Sequence, residues 1–180
     1  MVAVRARKPK KQVRINKNTG RIFENFVFRF LNEYLNERNI NGVVYKYPES
    51  KTQGQIIDIL VDSYDFLFAA IECKSIDDSK LTNDKIYLKK LSRKSAGFGH
   101  QFKKQHIFLE KSNRFGLVAF EFIGRKVAVF VPHKWVYEEI ENGTVYITVD
   151  DVLKNGYLIS KDNKGSLKLF IQGKCRSRGD

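Results

Sequence analysis

The sequence predicts an α/β sandwich in which helices flank a mixed central β-sheet. Three observations carry this expectation. A long stretch of apolar residues at helical spacing opens the ordered part of the chain, short apolar runs bounded by turn residues follow it, and a second helical stretch divides those runs. The resulting order, helix, three strands, helix, two strands, suits two packed layers around one core.

The first helix follows Asn18-Thr19-Gly20, read as its cap, and runs to about Arg38. Ile22, Phe23, Phe26, Val27, Phe30, Leu31, Tyr34 and Leu35 form its apolar stripe. Val43–Tyr47 reads as a strand and Pro48–Gly54 as a polar loop. Gln55–Val61 and Phe66–Lys74 read as two further strands joined by a turn at Asp62–Asp65. Residues 76–97 mix lysines with Ile86, Tyr87, Leu88 and Leu91, as a short amphipathic helix or an ordered loop would. Gly97–Ser112 reads as the second long helix, with Phe98, Phe102, His106 and Leu109 on one side. Gly116–Ile123 and Val127–Val131 read as strands, Lys134–Glu141 and Val149–Asn155 as helices with a turn at Asn142-Gly143 between them, and Ser166–Ile171 as a last strand.

At 180 residues the chain is expected to hold one domain. Residues 1–17 read as a basic flexible arm, 18–172 as the domain and 173–180 as a basic tail. Lys and Arg total 33 against 20 acidic residues, a net charge of +13, which favours a polyanionic partner. No apolar run approaches the roughly 18 residues of a membrane span, and the N-terminus has no signal-peptide core. Two cysteines, Cys73 and Cys175, make neither a disulfide framework nor a zinc site, so a reducing, cytoplasmic setting is expected.

Glu72-Cys73-Lys74 ends an apolar run with charge. Alternate strand residues share a face, so Glu72 and Lys74 point one way and Cys73 the other. A hairpin brings Asp58 opposite Glu72. Asp58 lies between apolar residues, where an unpaired carboxylate is costly to bury. Two carboxylates and an ammonium on one patch of sheet can hold a divalent cation and activate water, which is the chemistry of a nuclease. A structural ion pair is the other reading of the same residues. Asp62 lies on Asp58's face, but the turn exposes it, leaving it a substitute for Asp58 only.

Gly20-Arg21-Ile22-Phe23-Glu24, Asp58, Glu72-Cys73-Lys74 and Gln101, in that order, resemble the PD-(D/E)xK nuclease superfamily. Within it, His100-Gln101, Phe115-Gly116-Leu117-Val118-Ala119-Phe120 and Ile147-Thr148-Val149-Asp150-Asp151-Val152 are similar to Holliday junction resolvases of the RecU type, and the opening of the first helix is similar to both RecU and archaeal Hjc types. The resemblance spans about residues 18–160. It implies a restriction-endonuclease-like core and a Mg²⁺-dependent endonuclease, with Mn²⁺ able to substitute, that nicks branched DNA to leave 5′-phosphate and 3′-hydroxyl ends. It assigns Asp58, Glu72 and the Cys73 carbonyl to the metal and Glu24 to it directly or through water. Lys74 would position the attacking water and stabilise phosphate charge, and Gln101 would orient the lysine or the water.

Two features differ from the RecU type. The segment from Tyr47 to Gln55 is too short for a long projection, and no Thr-Thr pair directly precedes Asp58, Thr52 being the nearest. The short loop with Ser50, Lys51 and Thr52 is closer to the archaeal style.

Paired symmetrical nicks in a four-way junction require two active sites, hence a homodimer, with the first helix and the 116–131 strands as candidate contacts. Phosphate contacts are expected from Arg5, Arg7, Lys8, Lys10, Lys11, Arg14 and Lys17 in the arm, from Lys51 and Thr52, from Lys80, Lys89, Lys90, Arg93 and Lys94, and from Lys103 and Lys104. His100, His106 and His133 are too dispersed for a metal cluster and read as packing or surface residues, with His100 near enough to Gln101 to touch a phosphate. Trp135 and the phenylalanines read as core. Tyr45, Tyr47 and Tyr87 read as packing residues, with stacking on bases as the other option. No phosphate-cradling glycine pattern occurs, so nucleotide hydrolysis has no support. Two other functions stay open: a restriction- or repair-type nuclease of the same superfamily, and a non-catalytic basic DNA-binding protein whose acidic cluster is a structural ion-pair network.

Overall fold

The structure is a computed structural model that describes residues 17–47, 56–64, 67–91, 100–160 and Leu167. Helix α1 (Lys17–Glu37) is followed by β1 (Val43–Lys46), β2 (Ile59–Asp62) and β3 (Phe68–Ile76). Two 3₁₀ turns (Asp78–Lys80 and Thr82–Asp84), strand β4 (Lys85–Tyr87) and the single turn α2 (Leu88–Leu91) come next. Then follow α3 (His100–Ser112), β5 (Phe115–Phe122), β6 (Val127–Pro132), α4 (His133–Glu141), β7 (Tyr146–Thr148), α5 (Val149–Asn155) and β8 (Tyr157–Leu158).

Among the described residues, six strands form one sheet in the order β1-β2-β3-β5-β6-β8, and β4 pairs with β7 in a separate ribbon. Only β3 and β5 of the six-stranded sheet run parallel; the other neighbours are antiparallel. The expected mixed α/β sheet flanked by helices is what forms. The parallel pair is its centre and is covered on both faces, which accounts for the unbroken apolar runs at Ala69–Ile71 and Leu117–Phe120.

One face receives α1. Phe23, Val27, Phe30, Leu31, Tyr34 and Leu35 pack there with Ile59, Val61, Ile71, Ala119 and Phe130. Ile22 and Phe26 belong to the expected stripe yet are exposed, because the stripe is wider than the sheet surface it covers. The other face receives α3, α4 and α5, whose Phe102, Val136, Ile140 and Val152 meet Val118, Phe120, Val129 and Val131. Capping differs between the helices. Asn18, Thr19 and Gly20 lie inside α1 rather than capping it, whereas Thr148 and Asp151 form a reciprocal capping box at α5.

Asp58 sits just ahead of β2 instead of within it. The hairpin turn closes where Ser63 and Leu67 exchange main-chain hydrogen bonds at 3.1 and 3.0 Å. Residues 76–91 hold the two 3₁₀ turns, β4 and α2, not one amphipathic helix. Strands β4, β7 and β8 are additions to the sequence expectation. The Pro48–Gly54 loop and the strand expected at Ser166–Ile171 lie outside the described residues, apart from Leu167, which is buried in the α1 core. Among the described residues, no helix is long and apolar enough to cross a membrane.

Candidate active site

The register of the β2–β3 hairpin places the site. Ile59 pairs with Ile71, so one step further the chain sets Asp58 opposite Glu72, and the Asp58 N–H donates to the Ile71 carbonyl at 3.1 Å. The Cys73 N–H in turn donates to Asp58 Oδ2 at 2.7 Å. Alternation along β3 turns Ile71 and Cys73 toward the α1 core and Glu72 toward α3. Lys74 follows on Glu72's side, its Nζ 2.6 Å from Glu72 Oε1. Asp58, Glu72 and Lys74 are therefore brought together.

Helix α3 closes the site from above. Gln101 Nε2 donates to Glu72 Oε1 at 2.8 Å. Gln105, one turn on and fully buried, donates to Glu72 Oε2 at 2.7 Å and to the Ile56 carbonyl at 2.8 Å. Both hydrogens of the Gln105 amide thus face acceptors, so its Oε1 is an acceptor and His133 Nε2, 3.2 Å away, carries the proton that binds it. Burial, with a smaller push from His106, lowers the His133 pKa to about 3 and keeps the ring neutral. Gln105 and His133 were not singled out from sequence for this site. The available signal was the four-residue spacing from Gln101, which puts both glutamines on one helix face.

Glu24, expected in the same cluster, sits on α1. Its Oε1 is 2.6 Å from Lys46 Nζ of β1, a lysine the sequence reading passed over, and Lys46 also reaches Asn25 at 2.6 Å. Its charge still acts on Asp58. Burial, then the neighbouring Glu72 and, least, Glu24 raise the Asp58 pKa to about 7 against the pull of the Cys73 N–H and Lys74. Burial and the same three carboxylates push the Cys73 thiol well up, which disfavours its thiolate form.

Among the described residues, no three His, Cys, Asp or Glu side chains are grouped as a metal shell. The pair able to hold a divalent ion is Asp58 with Glu72. A carboxylate held half-protonated near neutrality by burial and a like charge is a site that a cation would relieve. Hard oxygen donors of this kind, few in number, suit Mg²⁺ or Mn²⁺, which keep several waters.

Asp62 does not join this group. It accepts from Tyr45 Oη at 2.7 Å and pairs with Arg114, which holds its pKa below the usual range. Tyr47 packs edge-on against Phe108, Trp135 is half-buried against the α4 core, His106 stacks on Tyr137, and His100 is exposed at the start of α3. Of the residues expected at phosphates, Lys89, Lys90, Lys103 and Lys104 are exposed, as is Lys80, which pairs with Asp77. Lys17 opens α1. Arg5, Arg7, Lys8, Lys10, Lys11, Arg14, Lys51, Thr52, Arg93 and Lys94 lie outside the described residues.

No model of a known protein family matches the chain, and no curated protein matches it. Among solved structures, one of Archaeoglobus fulgidus Hjc, a Holliday junction resolvase from an archaeal hyperthermophile, is similar over 75% of this chain and 98% of that one. The identity is 16% and the TM-score 0.46.

Proposed function

We propose that this chain is a divalent-metal-dependent endonuclease of branched DNA, a Holliday junction resolvase acting as a homodimer. The observation that carries the reading is the convergence of Asp58, Glu72 and Lys74 from one hairpin beneath Gln101. The sequence resemblance to PD-(D/E)xK resolvases supports it, as does the net charge of +13.

A Mg²⁺ or Mn²⁺ ion held by Asp58 and Glu72, with the Cys73 carbonyl as a further donor, would supply Lewis acidity and an acidified water. Lys74 offers an ammonium at the site for the charge that grows on the phosphate oxygens. Gln101 and Gln105 hold the Glu72 carboxylate in place, and the Cys73 N–H does the same for Asp58. Glu24, paired with Lys46, adds negative potential from the α1 side. Lys89, Lys90, Lys103 and Lys104 would grip phosphates without reading bases. Residues 18–172 would form the nuclease domain between two basic arms, in an intracellular, DNA-associated setting.

The test is nicking of four-way, flapped and linear DNA with Mg²⁺, Mn²⁺ or chelator. Cleavage confined to the four-way substrate and to the divalent ions supports the resolvase reading. Equal cutting of all three substrates would move the chain to a restriction- or repair-type nuclease.

A second reading has one specific observation behind it. Both Glu72 oxygens already accept hydrogen bonds, which also suits a structural network in a non-catalytic DNA-binding protein. Salt-sensitive DNA binding with no cleavage under any divalent ion would select it.

A further inference from the structure

A cleft of about 190 Å³ opens beside Lys74, between β3 and the β4–α2 segment. Its floor is apolar, made by Ile76, Leu81 and Ile86. Its rim carries Lys74, Lys85, Tyr87 and Lys90. The volume is below the roughly 300–1,000 Å³ of pockets for drug-sized molecules, which leaves room for one flat ring and little more.

The rim lysines are distinctive. Among the described residues, ion pairs engage Lys46, Lys74, Lys80 and Lys134 but neither Lys85 nor Lys90. Those two lie over aromatic rings instead: Lys85 Nζ is 4.2 Å from the centre of Tyr146, and Lys90 Nζ is 5.1 Å from the centre of Tyr87. A ring face attracts an ammonium but leaves its charge uncancelled for a third partner. Tyr87 and Tyr146 meet edge-on at 6.1 Å across the β4–β7 ribbon. The ribbon is pinned to the main sheet by Arg125 in the β5–β6 turn, which lies 2.8 Å from Asp84 and 3.8 Å from both Asp78 and Asp150.

Apolar floor, aromatic wall and uncancelled cations fit a ligand with a flat ring joined to an anion. We propose that this cleft takes one unpaired nucleotide of the DNA strand that passes Lys74, its base on the floor beside Tyr87 and a phosphate on Lys85 and Lys90. The identity of the strand rests on the nuclease reading above. A base inside a cleft of this size has left its stack, and a branch point lowers the cost of unstacking it. The cleft would thereby favour branched DNA over duplex through a contact separate from the hydrolytic residues.

The test uses the full chain and four-way junctions carrying 2-aminopurine at successive positions around the branch, in chelator so that no strand is cut. Nicking in Mg²⁺ is measured in parallel. The parental protein is expected to change the fluorescence at one position near the exchange point. Tyr87→Ala and the double variant Lys85→Gln/Lys90→Gln are expected to abolish that change and to weaken junction binding about tenfold, within the range for loss of one stacked base, with linear duplex affected less than twofold. Lys111→Gln, which removes one positive charge on α3, should leave the signal intact. The lysine double variant removes exposed or half-buried side chains only, so it stays informative if Tyr87→Ala unfolds. An unchanged signal and junction affinity in that double variant would overturn the proposal. If the variants lose the signal while the parental protein cuts no DNA, the cleft stands and the nuclease reading falls.

Discussion

Gln105 ties Glu72 to the main chain two residues ahead of Asp58: its amide nitrogen lies 2.7 Å from Glu72 Oε2 and 2.8 Å from the Ile56 carbonyl. One buried glutamine, itself bonded to His133, thus helps hold Glu72 against the segment that carries Asp58. Gln105→Leu keeps the volume but removes both donors. Nicking is expected to fall about 10–100-fold, the usual effect of losing a partner that orients a metal ligand. Rates measured across a Mg²⁺ titration check this, and the loss should be greatest at low Mg²⁺.

Asp58 and His133 respond to pH in opposite directions. The Asp58 pKa rises from 3.8 to about 7 on folding, so the folded state holds the extra proton and stability falls as pH rises from about 4 to 7. The His133 pKa drops from 6.5 to about 3, so stability is lost as pH falls below 6.5. Each contributes about 1.4 kcal/mol per pH unit inside its window, and between pH 4 and 6.5 the two slopes oppose each other. Asp58→Asn should therefore uncover a stability that rises with pH over this interval, and His133→Phe one that falls. Urea denaturation from pH 4 to 8 measures both.

Asp58→Asn should also be the more stable protein near pH 8. It removes a buried charge whose cost there is on the order of 4 kcal/mol, while cleavage should be lost. In the parental protein Mg²⁺ or Mn²⁺ should raise the melting temperature at pH 8, and in Asp58→Asn this shift should shrink to near zero. Differential scanning calorimetry with and without the ion tests the pair.

At Gly116 the Leu109 side chain of α3 and the first residue of α4, His133, crowd against β5. A Cβ there would stand 2.8 Å from the His133 Cβ and would overlap the Leu109 side chain. Gly116→Ala is expected to destabilise by about 1–3 kcal/mol, as overpacking does. Because α3 carries Gln101 and Gln105, nicking should fall along with stability. Thermal melts and single-turnover rates on the same samples measure the two effects.

The central pattern was legible because it follows from strand geometry alone. Alternation set Glu72 and Lys74 on one side, and a short turn set Asp58 opposite them. Gln105 was harder to see, since a polar residue in a helix rich in lysine reads as surface until the neighbouring strand is in place. Lys46 gave no signal beyond a charge at the end of a short strand, and its pairing with Glu24 depends on how α1 crosses β1. The ribbon of β4 and β7 joins Lys85–Tyr87 to Tyr146–Thr148, segments far apart in the chain. Pairing of that range leaves no local periodicity in three-residue strands, so Tyr87 and Tyr146 acquire a role only in the folded molecule.

The most direct test maps nicks on all four labelled strands of a four-way junction, for the parental protein and for Lys74→Met. Paired, symmetrically placed nicks that require Mg²⁺ or Mn²⁺ are expected, with their loss in the variant while junction binding persists. Nicks of equal yield from Lys74→Met, or from the parental protein in chelator, would contradict it.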